Sequence, residues 1–187
     1  MSNKTAITLL IIVIGLAVIG GVYAGFNLFG DSLDTPEGSP DGKEEETVTL
    51  NVFFLDSKDP RSATDCGVTR SVTRVIPETP RVADAALKEL FKGPTAAEYT
   101  AGLTTAFSPN PNTGEATKEL GEYYRGVSIE NGTAIVDFSE TALGYLNSPA
   151  CMQQAVKGPI IDTLKQFTTI DEVEFSIDGE IYTEWDA

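Results

Sequence analysis

Twenty-one consecutive residues without a charge, Ala6 to Phe26, stand apart from everything that follows. As a helix rising about 1.5 Å per residue they reach roughly the 30 Å of a bilayer core, so residues 6–26 are expected to be a transmembrane helix. Lys4 precedes the run while Asp31 and Asp34 follow it. The positive-inside rule then puts residues 1–5 in the cytoplasm and the C-terminal bulk outside, as a single-pass membrane protein. The competing reading is a signal peptide cleaved near Ala24. The run is longer than the usual apolar region of such peptides, which favours an uncleaved signal anchor.

Beyond the run the pattern changes twice. Residues 27–47 are mostly polar, and 31–47 carry seven acids against one lysine, with Leu33 as the one large apolar side chain. Such a stretch buries too little apolar surface to offset its ordering entropy, and it reads as an acidic, disordered linker. From Val48 a strict alternation begins. Val48, Leu50, Val52 and Phe54 interleave with Thr49, Asn51, Phe53 and Leu55, which predicts a strand, and Val68 to Ile76 predicts a second that Pro77 terminates. Thr79-Pro80 then reads as an N-cap and first-turn proline of a helix over 80–92, whose stripe of Val82, Ala86 and Leu90 is stopped by Gly93-Pro94.

Pro94 to Leu120 reads as a long surface excursion with a short helix near 96–101. After it, Tyr123 to Ile129 and Thr133 to Phe138 flank Asn131-Gly132, a strong two-residue hairpin signal. Ser139 is placed to cap a short helix through Leu146. Met152, Val156, Ile160, Leu164 and Phe167 mark a further helix, with a kink or break expected at Gly158-Pro159. Val173, Phe175 and Ile177 form a last alternation before Asp178-Gly179 turns the chain into 181–183. This order describes one α+β domain over 48–187, with two helices packed on a mixed, mainly antiparallel sheet.

Charge and missing residue types narrow the function. The chain has 13 Lys plus Arg against 28 Asp plus Glu, a net charge of -15, which is the wrong field for nucleic acid. It contains no histidine, so hydrolase triads built on imidazole and His-ligated zinc are excluded. Cys66 and Cys151 are its two cysteines, and the topology exports both to a compartment where thiols pair. One disulfide between them is expected, the alternative being two separate buried thiols.

Several stretches together resemble a known family. These are Val72-Thr-Arg-Val-Ile-Pro77, Ala83-Asp-Ala-Ala-Leu-Lys-Glu-Leu90, Gly93-Pro-Thr95 with Glu98, Gly102-Leu-Thr104, Gly132-Thr-Ala-Ile-Val-Asp-Phe-Ser139, Thr163-Leu-Lys-Gln-Phe167 and Ile177-Asp-Gly179. In this order they resemble the GerMN domain over about residues 48–180. A cysteine after the first strand and another before the second long helix also resemble a subset of such domains. The resemblance implies an envelope domain of the sporulation and germination type, with a fold similar to ring-building modules and a role in protein interaction. The sequence departs from that pattern at Gly158-Pro159, inside a usually continuous helix, and at Phe107 to Glu119, where a short turn is replaced by a longer loop.

Asp137 and Glu140 form the best carboxylate pair for acid/base work, but acids also favour helix N-termini. Asp56, Asp59 and Asp65 cluster without the spacing of a calcium loop. Arg70, Arg74 and Arg81 are the clustered positive charge, while Tyr123, Tyr124 and Trp185 offer stacking surfaces. A possible interaction surface is therefore assigned to Arg70, Arg74, Tyr123, Tyr124 and Trp185. The expectation is a non-enzymatic domain, without cofactor or metal, that contributes to an envelope assembly through envelope proteins or self-association. The alternative is a module that binds cell-wall glycan or a small ligand.

Overall fold

The alternating segment from Val48 becomes the centre of the first sheet. Strand β1 (Thr47–Asp56) pairs antiparallel with β2 (Thr69–Pro77) through nine residue pairs, from Thr47↔Pro77 to Leu55↔Thr69. Leu50, Val52 and Phe54 are buried while Thr49 and Asn51 are exposed, as a period of two on a half-covered sheet dictates. A two-residue strand β3 (Leu103–Thr104) joins the far end of β1 and completes the order β2-β1-β3. The computed structural model describes residues 46–114, 120–147 and 149–183. The expected cytoplasmic residues 1–5, membrane span 6–26, most of the linker and Trp185 lie outside the described residues. Among the described residues no helix is long and apolar enough to cross a membrane.

The second sheet has the order β4-β5-β6-β7. Strands β4 (Tyr124–Glu130) and β5 (Thr133–Phe138) are antiparallel around Asn131 and Gly132, whose φ values of 50° and 86° are the left-handed pair that a tight hairpin turn requires. Strand β6 (Glu172–Ile177) runs parallel to β5, and β7 (Glu180–Ile181) folds back on it. A parallel pair needs a long crossover. Helices α3 (Leu143–Leu146) and α4 (Ala150–Lys165) supply it.

Helix α1 (Val82–Lys92) and α4 pack on each other and on β1, while the short α2 (Ala96–Thr100) precedes β3. Leu50, Val52 and Phe54 from the first sheet, Val136 and Phe138 from the second, and Leu87, Leu90, Ile160 and Leu164 from the helices belong to one buried cluster. The architecture is thus α+β, with two sheets sharing a core.

Four expectations change. Strand patterns predicted one sheet, but alternation along a strand does not encode its long-range partner, and the chain forms two. Helix α1 begins at Val82 rather than residue 80, because the Thr79 hydroxyl accepts from the Arg81 amide in a local turn and leaves Arg81 at the N-cap. The break expected at Pro159 is absent, since α4 runs from Ala150 to Lys165. Pro159 is buried there, and a Cβ added to Gly158 would lie 3.1 Å from the Gly67 carbonyl oxygen. The Gly-Pro pair therefore marks a close helix-to-loop contact rather than a stop. Finally, the excursion after Pro94 is not confined to the surface. It contributes β3 and the buried Ala106, Phe107 and Leu120 to the core.

Candidate functional site

Arg74 and Glu98 form a two-armed ion pair in which both side chains are largely shielded from solvent. Both guanidinium arms donate to the Glu98 carboxylate at 2.7 Å, and the guanidinium lies 5.7 Å from the centre of the Phe54 ring. Glu98 also accepts from the Thr95 amide while the Thr95 hydroxyl accepts from the Glu98 amide, the reciprocal capping arrangement that starts α2. The Arg74 hydrogen bonds, opposed by burial, hold the Glu98 carboxyl at about 2 against its ordinary 4.5. The folded state therefore binds that proton more weakly than the unfolded chain. Its stabilisation is complete above about pH 4.5 and is lost as pH falls toward 2. Glu98→Gln should cost about 2 kcal/mol at neutral pH and flatten the stability profile between pH 5 and 2, measured by urea unfolding at each pH.

Arg70 sits two strand positions after Val68 and is more exposed than Arg74. Its Nε is 3.0 Å from Asp56 and its Nη2 donates to the Ala101 carbonyl at 3.2 Å. The tyrosines belong to the other sheet. Tyr124 packs its ring 4.9 Å from Phe91 and donates its hydroxyl to Asp84 at 2.8 Å. Burial first, and the Asp84 carboxylate second, raise the Tyr124 pKa well above its usual range. Burial alone would raise that of Asp84, but hydrogen bonds from Lys88 and Tyr124, with the charges of Lys88 and Arg81, bring it below its ordinary value. Tyr123 stacks on Tyr145 at 5.5 Å. The arginines thus lie on β2 of the first sheet, and the tyrosines lead into or begin β4 of the second.

The acidic candidates also have local partners. Asp137 accepts from the Ser176 hydroxyl at 2.7 Å and the Gly179 amide at 2.9 Å, which fastens the β6–β7 turn to β5. Glu140 donates its amide to Asp178, which in turn pairs with Arg125. Asp56 takes the Lys58 amide and Arg70, Asp65 takes the Gly67 amide, and Asp59 takes the amide and guanidinium of Arg61. The hydrogen bonds from Arg61 hold Asp59 at about 2. Among the described residues, no group of three or more acids or cysteines is placed to hold a metal ion.

The contacts that sequence reading missed lie along β1. The Asn51 amide donates to Gln166 Oε1 at 2.8 Å and the Asn51 carbonyl accepts from Gln166 Nε2 at 2.7 Å, so one side chain imitates a neighbouring strand. Thr163 Oγ1 accepts from the Phe53 amide at 3.1 Å. The signal was present, since Thr163 is a polar residue on the buried stripe of α4 between Ile160 and Leu164. Cys66 and Cys151 are joined as a disulfide with their Cα atoms 5.2 Å apart. A hollow of about 220 Å³ lies between the start of α1 and β4, lined by Arg81, Val82, Val127, Ile129 and Phe167 among others.

The family model for Germane, described as sporulation and spore germination, matches residues 51–183. Among solved structures, the tandem GerMN domains of the sporulation protein GerM from Bacillus subtilis are similar at 26% identity and a TM-score of 0.50, over 76% of this chain and 43% of that one. The chain therefore spans less than half of that tandem structure. The first GerMN domain of the same protein aligns at 23% identity and a TM-score of 0.49, over 75% of this chain and 90% of that one. A putative lipoprotein from Clostridium perfringens aligns at 18% identity and a TM-score of 0.38, over 72% and 76% of the two chains. Among curated protein sequences, none matches this chain.

Proposed function

We propose that this chain, which belongs to the Germane family of sporulation and spore-germination domains, is a membrane-anchored, extracytoplasmic interaction domain that contributes to an envelope assembly without catalysing a reaction. The observation that carries the reading is the family match across residues 51–183, nearly the whole span of the described residues. The apolar run 6–26 supports the anchor, and the charge asymmetry around it supports an outward-facing domain. Internal pairing supports a non-catalytic role. Arg74 with Glu98, Tyr124 with Asp84, and Asp137 with Ser176 are groups that would otherwise be available for chemistry, and each has its hydrogen bonds satisfied within the fold.

Crosslinking of the full-length chain in intact cells tests the proposal. The expected result is recovery of specific envelope proteins attached through residues 48–187. Recovery of none across several crosslinker chemistries would overturn it. Retention of the full-length chain on purified wall polymer would instead move the assignment to the glycan-binding alternative.

A further inference from the structure

We propose that the outer edge of β2 is a docking edge for an extended segment of another polypeptide, uncharged and β-branched at its centre and basic at the end beside Glu46 and Glu78. The proposal rests on the interaction reading above and names its surface and partner class. The phase of the ladder is fixed by the Asp56 amide, which donates to the Val68 carbonyl at 2.9 Å. With the continuous register from Leu55↔Thr69 to Thr47↔Pro77, the backbone groups of Arg70, Val72, Arg74 and Ile76 face β1. Those of Thr69, Ser71, Thr73 and Val75 face away. The opposite edge of β1 obeys the same phase, because its outward amides at Asn51 and Phe53 are the ones that reach Gln166 and Thr163. By this phase the amides of Ser71, Thr73 and Val75 point away from β1, and of the outward carbonyls that of Thr73 accepts from the Arg74 guanidinium at 3.3 Å.

The other sheet edges are each closed or blunted. Gln166, Thr163 and β3 cover the far side of β1. Strands β3 and β7 are two residues long, and the part of β6 that β7 leaves unpaired carries Glu172 and Glu174. Strand β4 is irregular between Tyr124 and Gly126 and carries charges at Arg125 and Glu130. A bulge, charges and shortness are the devices by which proteins prevent an edge from pairing. Strand β2 has no bulge; its two charges, Arg70 and Arg74, are paired with Asp56 and Glu98 and fall on the positions whose backbone faces β1. It is nine residues long with unbroken register, its proline comes last, and the outward backbone groups belong to Thr, Ser, Thr and Val.

Alternating donors and acceptors over seven residues, about 20 Å, are matched by an extended chain. Val75, at 66% exposure, offers a β-branched neighbour for cross-strand contact. Charge selects between occupants. Arg70 and Arg74 are already answered by Asp56 and Glu98, whereas Glu46 and Glu78 are both exposed where β2 ends and are linked by a backbone hydrogen bond of 2.8 Å. A basic terminus complements that pair in a chain of net charge -15. A second copy would bring another acidic body to the same place.

The test uses the full-length chain in nanodiscs and a synthetic peptide of alternating threonine and valine with lysines at its ends. Hydrogen exchange at Ser71, Thr73 and Val75 should slow at least tenfold with this peptide and less with a glutamate-flanked one. Thr73→Pro removes an outward donor without touching the β1 ladder, and it should abolish the effect; Val75→Lys, an edge charge, should weaken it. No slowing at millimolar peptide, or equal slowing in Thr73→Pro, would overturn the proposal. Slowing without peptide, accompanied by a doubled mass in sedimentation, would give the edge to a second copy and also overturn it. In cells, Thr73→Pro should lose the crosslinked partners that the unaltered chain recovers. Equal recovery by both would defeat the edge and leave the interaction reading standing, while recovery by neither would defeat the interaction reading itself.

Discussion

Replacing Cys66 and Cys151 together by serine is expected to lower the unfolding free energy by about 4–5 kcal/mol, the loop-closure value for a crosslink that closes so long a loop. The two cysteines are 85 positions apart, so the bond restricts most of the unfolded domain. In the folded state it joins the loop after the 3-10 turn Pro60–Ala63 to the first turn of α4. That helix start has no side-chain cap. Pro149 at the N-cap supplies no side-chain hydrogen bond to the orphan amides, and Ala150 and Cys151 are exposed. The same loop carries Gly67, which touches α4 at Gly158 and Gln154. Urea unfolding of the double variant beside the oxidised chain measures the effect, and reductant on the unaltered chain should reproduce it. A loss below about 1 kcal/mol would mean that the contact between Gly67 and Gly158 holds the two segments together without the bond.

Local order was legible in the sequence wherever one residue type has one physical use. Asn131-Gly132 and Asp178-Gly179 both form turns with left-handed backbone, because few other pairs tolerate those angles. Buried alternation located β1 and β5, and period 3.6 located α1 and α4. Long-range choices were not legible. Nothing in Val173 to Ile177 says that it lies parallel to β5, and nothing in Leu103-Thr104 says that two residues will extend β1. The internal partners of the candidate surface residues were not legible for a related reason. Arg74 and Tyr124 are assigned to a possible interaction surface from residue type alone, but Glu98 lies 24 positions from Arg74 and Asp84 lies 40 from Tyr124. A charge pattern along the chain does not disclose partners that only the fold brings together. The edge of β2 was hidden in the same way, since a strand is an edge only relative to neighbours.

The second large effect is expected at Phe91, where truncation to alanine should cost about 3–5 kcal/mol. Its ring is 5.2 Å from Phe107, 4.9 Å from Tyr124 and 6.1 Å from Phe138, so one side chain on α1 meets the loop after β3 and both strands of the β4–β5 hairpin. Gly121 closes over it so tightly that an added Cβ would come 2.8 Å from the Phe91 Cβ. Neighbouring Leu87 and Leu90 are fully buried in the same cluster as Phe54 of the first sheet. Phe91 is therefore the aromatic link through which α1 ties the second sheet to the first. Cooperative unfolding of the whole domain depends on such links, because each sheet alone has one face with no cover. Urea unfolding of Phe91→Ala should show a single transition at lower midpoint. A cycle with Phe91→Leu and Phe107→Leu should give a coupling of about 0.5–1.5 kcal/mol, the range for edge-to-face aromatic pairs. A cost under about 1.5 kcal/mol with no coupling would mean that the sheets are held together elsewhere, and that the shared core does not pass through this ring.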